Sequence, residues 1–323
     1  MTHAIRIHRY GGPEVLQWEA VEVGEPGPDE VRVRHTAVGL NFIDVYQRTG
    51  LYPGDLPATL GREAAGVVEA VGARVKHFSI GQRVAYVGTT AGSYSQARLM
   101  PAERLVALPG TIDDKQAAAL MLKGLTVQAL LRQTYRVRKS DTVLIHAAAG
   151  GVGLIAVQWA KYLGAKVIAI VGSEAKAELV RAQRADHVLL SGDDWVGQVK
   201  AITRGRGVNV VYDSVGKDTF IGSLDSLRPR GMMVTFGNSS GPVPPIAPLE
   251  LSRRGSLYLT RPTLFHYIAT RSALQRAAQE LFNLVAHSVI SVHVGQTYPL
   301  QDAARAHREL EARRTTGSTV LLP

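Results

Sequence analysis

Residues 147–153 read Ala147-Ala148-Ala149-Gly150-Gly151-Val152-Gly153, set between an apolar run ending at His146 and an apolar stretch of helical spacing. Thr142 to His146 reads as a buried strand. Gly153 to Leu163 reads as a helix, with Leu154, Val157 and Ala160 among its apolar positions, and Lys166 to Val171 reads as the next strand. Strand, side-chain-poor turn, helix and strand in that order form a dinucleotide-binding unit. Such a unit needs a tight turn, a bare backbone where a pyrophosphate approaches, and close helix–strand packing. Gly150 and Gly153 take the second and third glycine positions of GxGxxG, with Ala148 in place of the first. With Gly151 and Val152 they form a helix entrance whose unpaired N–H groups and positive dipole end face the phosphates.

The alternation continues. Ala175 to Arg184 is helical, and Val188 to Leu190, Val208 to Tyr212 and Met232 to Phe236 are strands. A doubly wound parallel sheet with helices on both faces is expected. Before residue 110 the pattern differs. Short strand signals such as Val31 to Arg34, Ala65 to Val71 and Gly81 to Val87 are closely punctuated by Gly and Pro, an all-β signature. Asp113 to Tyr135 has helical spacing broken once by Gly124. After Pro262 come a long amphipathic helix (Arg271 to Ala286), a strand near Ile290 to Val294, a helix from Asp302 to Arg313 and a final strand, Ser318 to Leu322. The fold class is α/β, a parallel-sheet domain plus a mainly-β domain. A chain of 323 residues suits two such domains.

There is no cysteine, which excludes disulfides, thiolate nucleophiles and thiolate metal sites. The amino terminus has no apolar signal region and the longest apolar runs fall short of a membrane span, so a soluble, cytoplasmic protein is expected. The net charge of +10 suits anionic ligands. Its basic clusters (Arg136 to Lys139, Arg253-Arg254, Arg313-Arg314) are short and not interleaved with aromatics, so a nucleic-acid role is disfavoured.

An NAD site places an acid at the end of the second strand, to bind the ribose hydroxyls. Here that strand ends Ile170-Val171-Gly172-Ser173, with no acid. Ser173 can hydrogen-bond a 2′-phosphate and Lys176 can neutralise it, which favours NADPH. Glu174 runs against this reading, and a solvated helix lysine is the competing reading of Lys176.

Further segments carry a family. They are Gly11 to Leu16, Gly39-Leu40-Asn41-Phe42-Ile43-Asp44, Gly61-Arg62-Glu63-Ala64-Ala65-Gly66, Lys123-Gly124-Leu125-Thr126, His146 to Gly153, Tyr212-Asp213-Ser214-Val215-Gly216, and Phe236-Gly237-Asn238-Ser239-Ser240-Gly241. Across nearly its whole length the chain resembles the NADPH:quinone oxidoreductases, the zeta-crystallin-like, zinc-free branch of the medium-chain dehydrogenase/reductases. The resemblance implies a GroES-like catalytic domain (1–125), a Rossmann NADPH-binding domain (126–261) and a return to the catalytic domain (262–323). It also implies a homodimer through the edge of the nucleotide-domain sheet.

Zinc-dependent relatives place ligands where this chain has Asn41 and Arg62, and a cysteine close to Lys123, so no metal is expected. Arg62 departs from close relatives. It either intrudes on the cleft or pairs with Glu63 or Asp44. By resemblance, Asn41, Asp44, Tyr46 and Tyr52 line the nicotinamide and substrate cleft, with Lys123 and Thr126 in a neighbouring motif. Phe236, Gly237, Asn238 and Ser239 pass the nicotinamide end, Ser214, Val215 and Gly216 lie beside the adenosine or ribose, and Arg313 joins Lys176 on the 2′-phosphate. The tyrosine that relatives often place after the third strand is missing from Leu190-Ser191-Gly192.

The expected chemistry is hydride reduction of a quinone without metal. Asn41, Tyr46 and Tyr52 serve as hydrogen-bond donors to the developing quinol oxyanion and Lys123 as a cation. For each tyrosine a half-buried core aromatic is the competing reading. For Asp44 it is a helix cap. Two other functions stay open. One is reduction of an enal or enone. The other is a non-enzymatic NADPH-binding protein with an RNA-binding (AU-rich RNA) or structural role.

Overall fold

The computed structural model describes residues 2–323. The chain divides into two compact units. The first comprises 1–125, 268–287 and 292–323, and the second 126–267 and 288–291. Residues 262–267 thus group with the second unit, not with the returning segment.

The second unit is built on a six-stranded sheet. In spatial order its strands are His187–Leu190, Lys166–Val171, Thr142–Ile145, Val208–Asp213, Leu227–Thr235 and Tyr258–Thr260. Every neighbouring pair is parallel. Numbered along the chain this is 3-2-1-4-5-6, the Rossmann order, whose switch point lies between Thr142–Ile145 and Val208–Asp213. Helices Gly151–Tyr162, Glu174–Arg181, Trp195–Ile202 and Phe220–Asp225 connect the strands. Leu144, Ile168, Val211, Phe220, Leu224 and Met233 form much of its core. Strands buried on both faces need no polar alternation, which is why they read as continuous apolar runs.

The first unit is mainly β. Its larger sheet orders Val294–Pro299, Ser318–Leu322, Glu30–Leu40, Glu63–Val71, Arg83–Val87 and Leu105–Ala107, and Ala97–Pro101 also pairs with Glu30–Leu40. The end of the chain is stitched in, since Thr319 faces Leu40 and Val320 faces Gly39 in an antiparallel pair. A small sheet joins Gln17–Val21, Thr2–Ile7 and Ala58–Thr59.

Three local expectations need correction. Gly124 does not break its helix, which runs unbroken over Asp114–Gln128 and continues as a π-helical stretch, Ala129–Thr134. A Cβ at Gly124 would stand 2.5 Å from Leu281 of helix Arg271–Ala286, so this glycine permits close helix packing. The strand expected near Ile290 to Val294 forms instead at Val294–Pro299, and Ile290 is a buried apolar anchor ahead of it. The strand-rich amino-terminal region also contains a helix, Phe42–Arg48.

Candidate active site

The glycine turn stands at the carboxyl end of the first strand of the parallel sheet. The helix begins at Gly151, with Gly150 as its N-cap in extended conformation. Gly151, Val152 and Gly153 therefore form the first turn, whose N–H groups have no intrahelical acceptor. The left-handed position falls on Ala147 (φ 48°) and not on Ala148, which replaces the first glycine. The turn is closed by Gly150 N–H donating to Ala147 O at 2.9 Å. Ala148 N–H donates to Ile170 O at 3.0 Å, tying the turn to the second strand. A Cβ at Gly153 would lie 2.5 Å from both Ala147 O and Ala148 Cα, so the packing demands glycine there. At Gly150 the nearest backbone atom would be 3.2 Å away. These residues fit a bound pyrophosphate: bare backbone, a helix amino terminus and no carboxylate in the turn.

After the second strand, Gly172 opens onto free space. Ser173 caps helix Glu174–Arg181 by accepting Lys176 N–H at 3.4 Å. Glu174, the contrary sign in the sequence, is ion-paired with Arg181. Lys176 belongs to this unit and Arg313 to the other.

The loops after the fourth and fifth strands are knit together. Asp213 is fully buried. Its Oδ1 accepts the Val215 and Gly216 N–H groups at 2.8 and 3.1 Å, and its Oδ2 accepts Thr219 and Ser223 hydroxyls at 2.7 and 2.9 Å. Ser240 donates to Val215 O at 2.9 Å. A Cβ on Gly237 would meet Ser214 O at 2.3 Å, so the loop carrying Phe236 to Ser239 rests against Ser214. This network holds Ser214, Val215, Gly237, Asn238 and Ser239 at the carboxyl ends of the strands, where parallel α/β sheets bind ligands. Thr126 lies half-buried in helix Asp114–Gln128.

In the first unit, Asn41 and Lys123 converge on a residue the sequence reading did not single out as functional, Glu63. The Glu63 side chain is fully buried. Its Oε1 accepts Asn41 Nδ2 and Lys123 Nζ, each at 2.8 Å, and its Oε2 accepts the Leu122 N–H at 2.6 Å. A carboxylate only accepts, so the amide of Asn41 is fixed with its NH2 toward Glu63. Lys123 Nζ also donates to Leu40 O at 3.3 Å and is almost wholly buried. This corrects the assignment of Lys123 as a cation for the substrate oxyanion: its charge is committed to Glu63. A signal for Glu63 did exist, since an acid opening the small apolar run Ala64-Ala65-Gly66-Val67-Val68 must be paired once buried.

Asn41 is the N-cap of Phe42–Arg48, and Asp44 at N3 reaches back so that Oδ2 accepts the Asn41 N–H at 2.9 Å. Asp44 is therefore a cap, and its oxygen also accepts the Tyr94 hydroxyl at 3.1 Å. Burial pushes its carboxyl up to about 7, and nearby Glu63 adds to the rise. The Asn41 and Tyr94 hydrogen bonds and Lys123 oppose it. Tyr46 and Tyr52 meet edge to face with ring centroids 5.3 Å apart, Tyr46 buried and Tyr52 partly exposed. Arg62 donates to Gly88 O at 3.4 Å and to Thr89 O. Burial lowers the Arg62 pKa, and Asp44 raises it. Among the described residues no group of three or more His, Asp or Glu could hold a metal ion.

Residues 27–110 match the alcohol dehydrogenase GroES-like domain and 151–287 the zinc-binding dehydrogenase family. A quinone oxidoreductase of Pseudomonas aeruginosa is 54% identical, covering 100% of both chains. A 2-haloacrylate reductase of a Burkholderia species is 49% identical over 100% of this chain and 99% of its own. The crystal structure of Escherichia coli quinone oxidoreductase complexed with NADPH superposes with a TM-score of 0.98 at 50% identity, covering 99% of this chain and 100% of that one.

Proposed function

The chain belongs to the quinone oxidoreductases of the medium-chain dehydrogenase/reductase superfamily, and from that membership we propose that it reduces quinones with NADPH. The observation that carries the cofactor is the turn at Gly150 to Gly153. Its backbone leaves no room for a side chain at Gly153, and it stands beside a second strand that ends in Gly172 and Ser173 without an acid. Gly150, Gly151, Val152 and Gly153 hold the pyrophosphate, and Ser173 and Lys176 take the 2′-phosphate. Ser214, Val215, Phe236, Gly237, Asn238 and Ser239 line the path of the rest of the dinucleotide. When bound, NADPH supplies the hydride.

The first unit's residues serve the acceptor. The hydroxyls of Tyr46 and Tyr52 donate hydrogen bonds to the quinone oxygen as it gains charge, and Asn41, its amide held by Glu63, lines the site beside them. Lys123 and Glu63 position Asn41 and do not touch the acceptor. Oxidation of NADPH and NADH, each with 1,4-benzoquinone, 9,10-phenanthrenequinone and an enone, tests the proposal. NADPH-dependent turnover with the quinones is expected. NADPH binding without oxidation by any acceptor would overturn it in favour of a non-enzymatic role.

A second reading is reduction of an activated alkene. It is favoured by the similarity to a 2-haloacrylate reductase. The enone in the same panel separates the two.

We further propose a cytoplasmic homodimer. Among the described residues, strand Tyr258–Thr260 pairs only with Leu227–Thr235, leaving its outer edge open, and both Tyr258 and Leu259 are exposed. No described helix is long and apolar enough to cross a membrane. Nucleic acid is not a proposed partner. The pair Arg253-Arg254, one of the basic clusters, is matched by Glu250 and Asp225.

A further inference from the structure

Asp44 and Arg48 lie one turn apart on helix Phe42–Arg48, close enough for a direct ion pair. They are joined instead through two other side chains. Arg48 Nη1 lies 3.0 Å from His307 Nδ1, His307 Nε2 lies 3.0 Å from Tyr94 Oη, and the Tyr94 hydroxyl lies 3.1 Å from Asp44 Oδ2. Arg48, Tyr94, His307 and Asp44 are all buried, and Arg48 continues to Glu311.

The chemistry of the donors gives this chain a direction. A guanidinium only donates, so His307 Nδ1 accepts and the imidazole is neutral with its proton on Nε2. Nε2–H then donates to Tyr94 Oη, and Tyr94 O–H is left to donate to Asp44 Oδ2. Burial, and then the charge of Arg48, push the His307 pKa down to about 3, in keeping with the neutral ring. Arg48 also closes the Nδ1 side of the ring, so no proton can be relayed inward through it from Glu311. The chain is an orienting device and not a conduit.

Its end result is an asymmetric carboxyl. Asp44 Oδ2 accepts both the Asn41 N–H and the Tyr94 O–H, while Oδ1 is buried with no hydrogen-bond partner. An ionised Asp44 would leave charge on a buried oxygen with no side-chain or backbone donor, which is costly. We propose that Tyr94 and His307 are positioning residues that make Oδ2 a fixed acceptor and leave Oδ1 as the one seat of the Asp44 proton, so that the charge beside Asn41 is set by that proton. The functional part rests on the quinone-reductase reading given above.

The other charged groups bearing on Asp44 are Glu63 on strand Glu63–Val71, Lys123 on helix Asp114–Gln128, and Arg62. Glu63 and Lys123 are paired with each other. Protonation of Asp44 therefore shifts the local balance toward positive charge, which favours an oxyanion developing on the acceptor. Quinone turnover falls as pH rises and Asp44 ionises. The Tyr94 hydrogen bond favours the carboxylate, so its loss moves that fall to higher pH.

The test compares wild type, Tyr94→Phe and Asp44→Asn as NADPH-loaded enzyme. Quinone turnover is followed across pH, alongside NMR of aspartate carboxyl carbons and histidine ring nitrogens. The wild type should show a declining limb near neutrality and one Asp carboxyl that titrates with it. Tyr94→Phe should move both upward by about one pH unit. Asp44→Asn should abolish both, and His307 should keep its Nε2–H form across the range. A carboxyl titration unmoved in Tyr94→Phe, or a protonated His307 in the wild type, overturns the positioning role. A titration that moves while the turnover limb stays put overturns its functional consequence. Absence of all quinone turnover refutes the function reading instead, and the NMR arm still decides the positioning.

Discussion

Lys123 Nζ lies 2.8 Å from Glu63 Oε1, the same oxygen that takes the Asn41 amide. Both charges are buried, so each is tolerable only because of the other. Lys123→Met leaves an unpaired buried carboxylate and is expected to cost about 3–5 kcal/mol. Adding Glu63→Gln should recover a large part of that loss, since a neutral amide can still face Asn41. Urea unfolding of the two single variants and the double variant measures this, and the double should be more stable than Lys123→Met alone.

Gly150 and Gly153 separate two demands on the same turn. A methyl at Gly153 meets backbone at 2.5 Å, whereas at Gly150 the nearest atom is 3.2 Å away. Gly153→Ala should therefore destabilise the protein, by about 1–3 kcal/mol for an overpacked site. Gly150→Ala should leave stability nearly unchanged yet weaken NADPH at least tenfold, roughly 1.4 kcal/mol, because its methyl enters the space of the pyrophosphate. Thermal unfolding and calorimetric titration with NADPH should divide the variants in this way.

The contrast between the halves of the site shows what a sequence exposes. The phosphate turn was legible because its requirements are local: a strand, a helix and the places where a side chain cannot fit. The parallel sheet was legible because doubly buried strands are apolar runs. Helix Phe42–Arg48 showed only through Asp44 as a candidate cap, because Phe42-Ile43-Asp44-Val45-Tyr46 is rich in β-branched and aromatic residues, although Asn41 with Asp44 at N3 marks its start. Tyr94 and His307 carry no local signal. They meet across 213 positions, and Arg48 reaches His307 across 259, so only the fold brings them to Asp44. Lys123 was misread because its charge was considered without Glu63, the partner that confines it.

The open edge at Tyr258–Thr260 makes the oligomeric state testable without activity. A carboxylate at Tyr258 places charge where two copies of the strand would meet. Tyr258→Asp should shift the protein from dimer to monomer in sedimentation velocity and leave the monomer's circular dichroism unchanged, since the native side chain is exposed. A wild type that sediments as a monomer would refute the dimer.

Three buried groups of the first unit should also contribute to the pH dependence of stability. Burial holds His307 at about 3 and His35 at about 4, against an ordinary value of 6.5, and raises Asp44 to about 7 from 3.8. Between about pH 4 and 6.5 the unfolded chain protonates both histidines and the native one neither, while the native chain alone keeps the Asp44 proton. Across these three groups the unfolded state thus binds one more proton, and together they make stability rise with pH by about 1.4 kcal/mol per unit across that window. The stabilisation from the histidines is complete above 6.5 and is lost as pH falls toward 4 and 3. That from Asp44 runs the other way, present at low pH and lost as pH rises to 7. Removing one histidine cancels the imbalance among the three, so His307→Gln should lower the slope between pH 4 and 6.5 by about 1.4 kcal/mol per unit. Urea midpoints measured at half-unit intervals check it, and a slope as steep in His307→Gln as in the wild type would show that His307 is not held neutral in the folded protein.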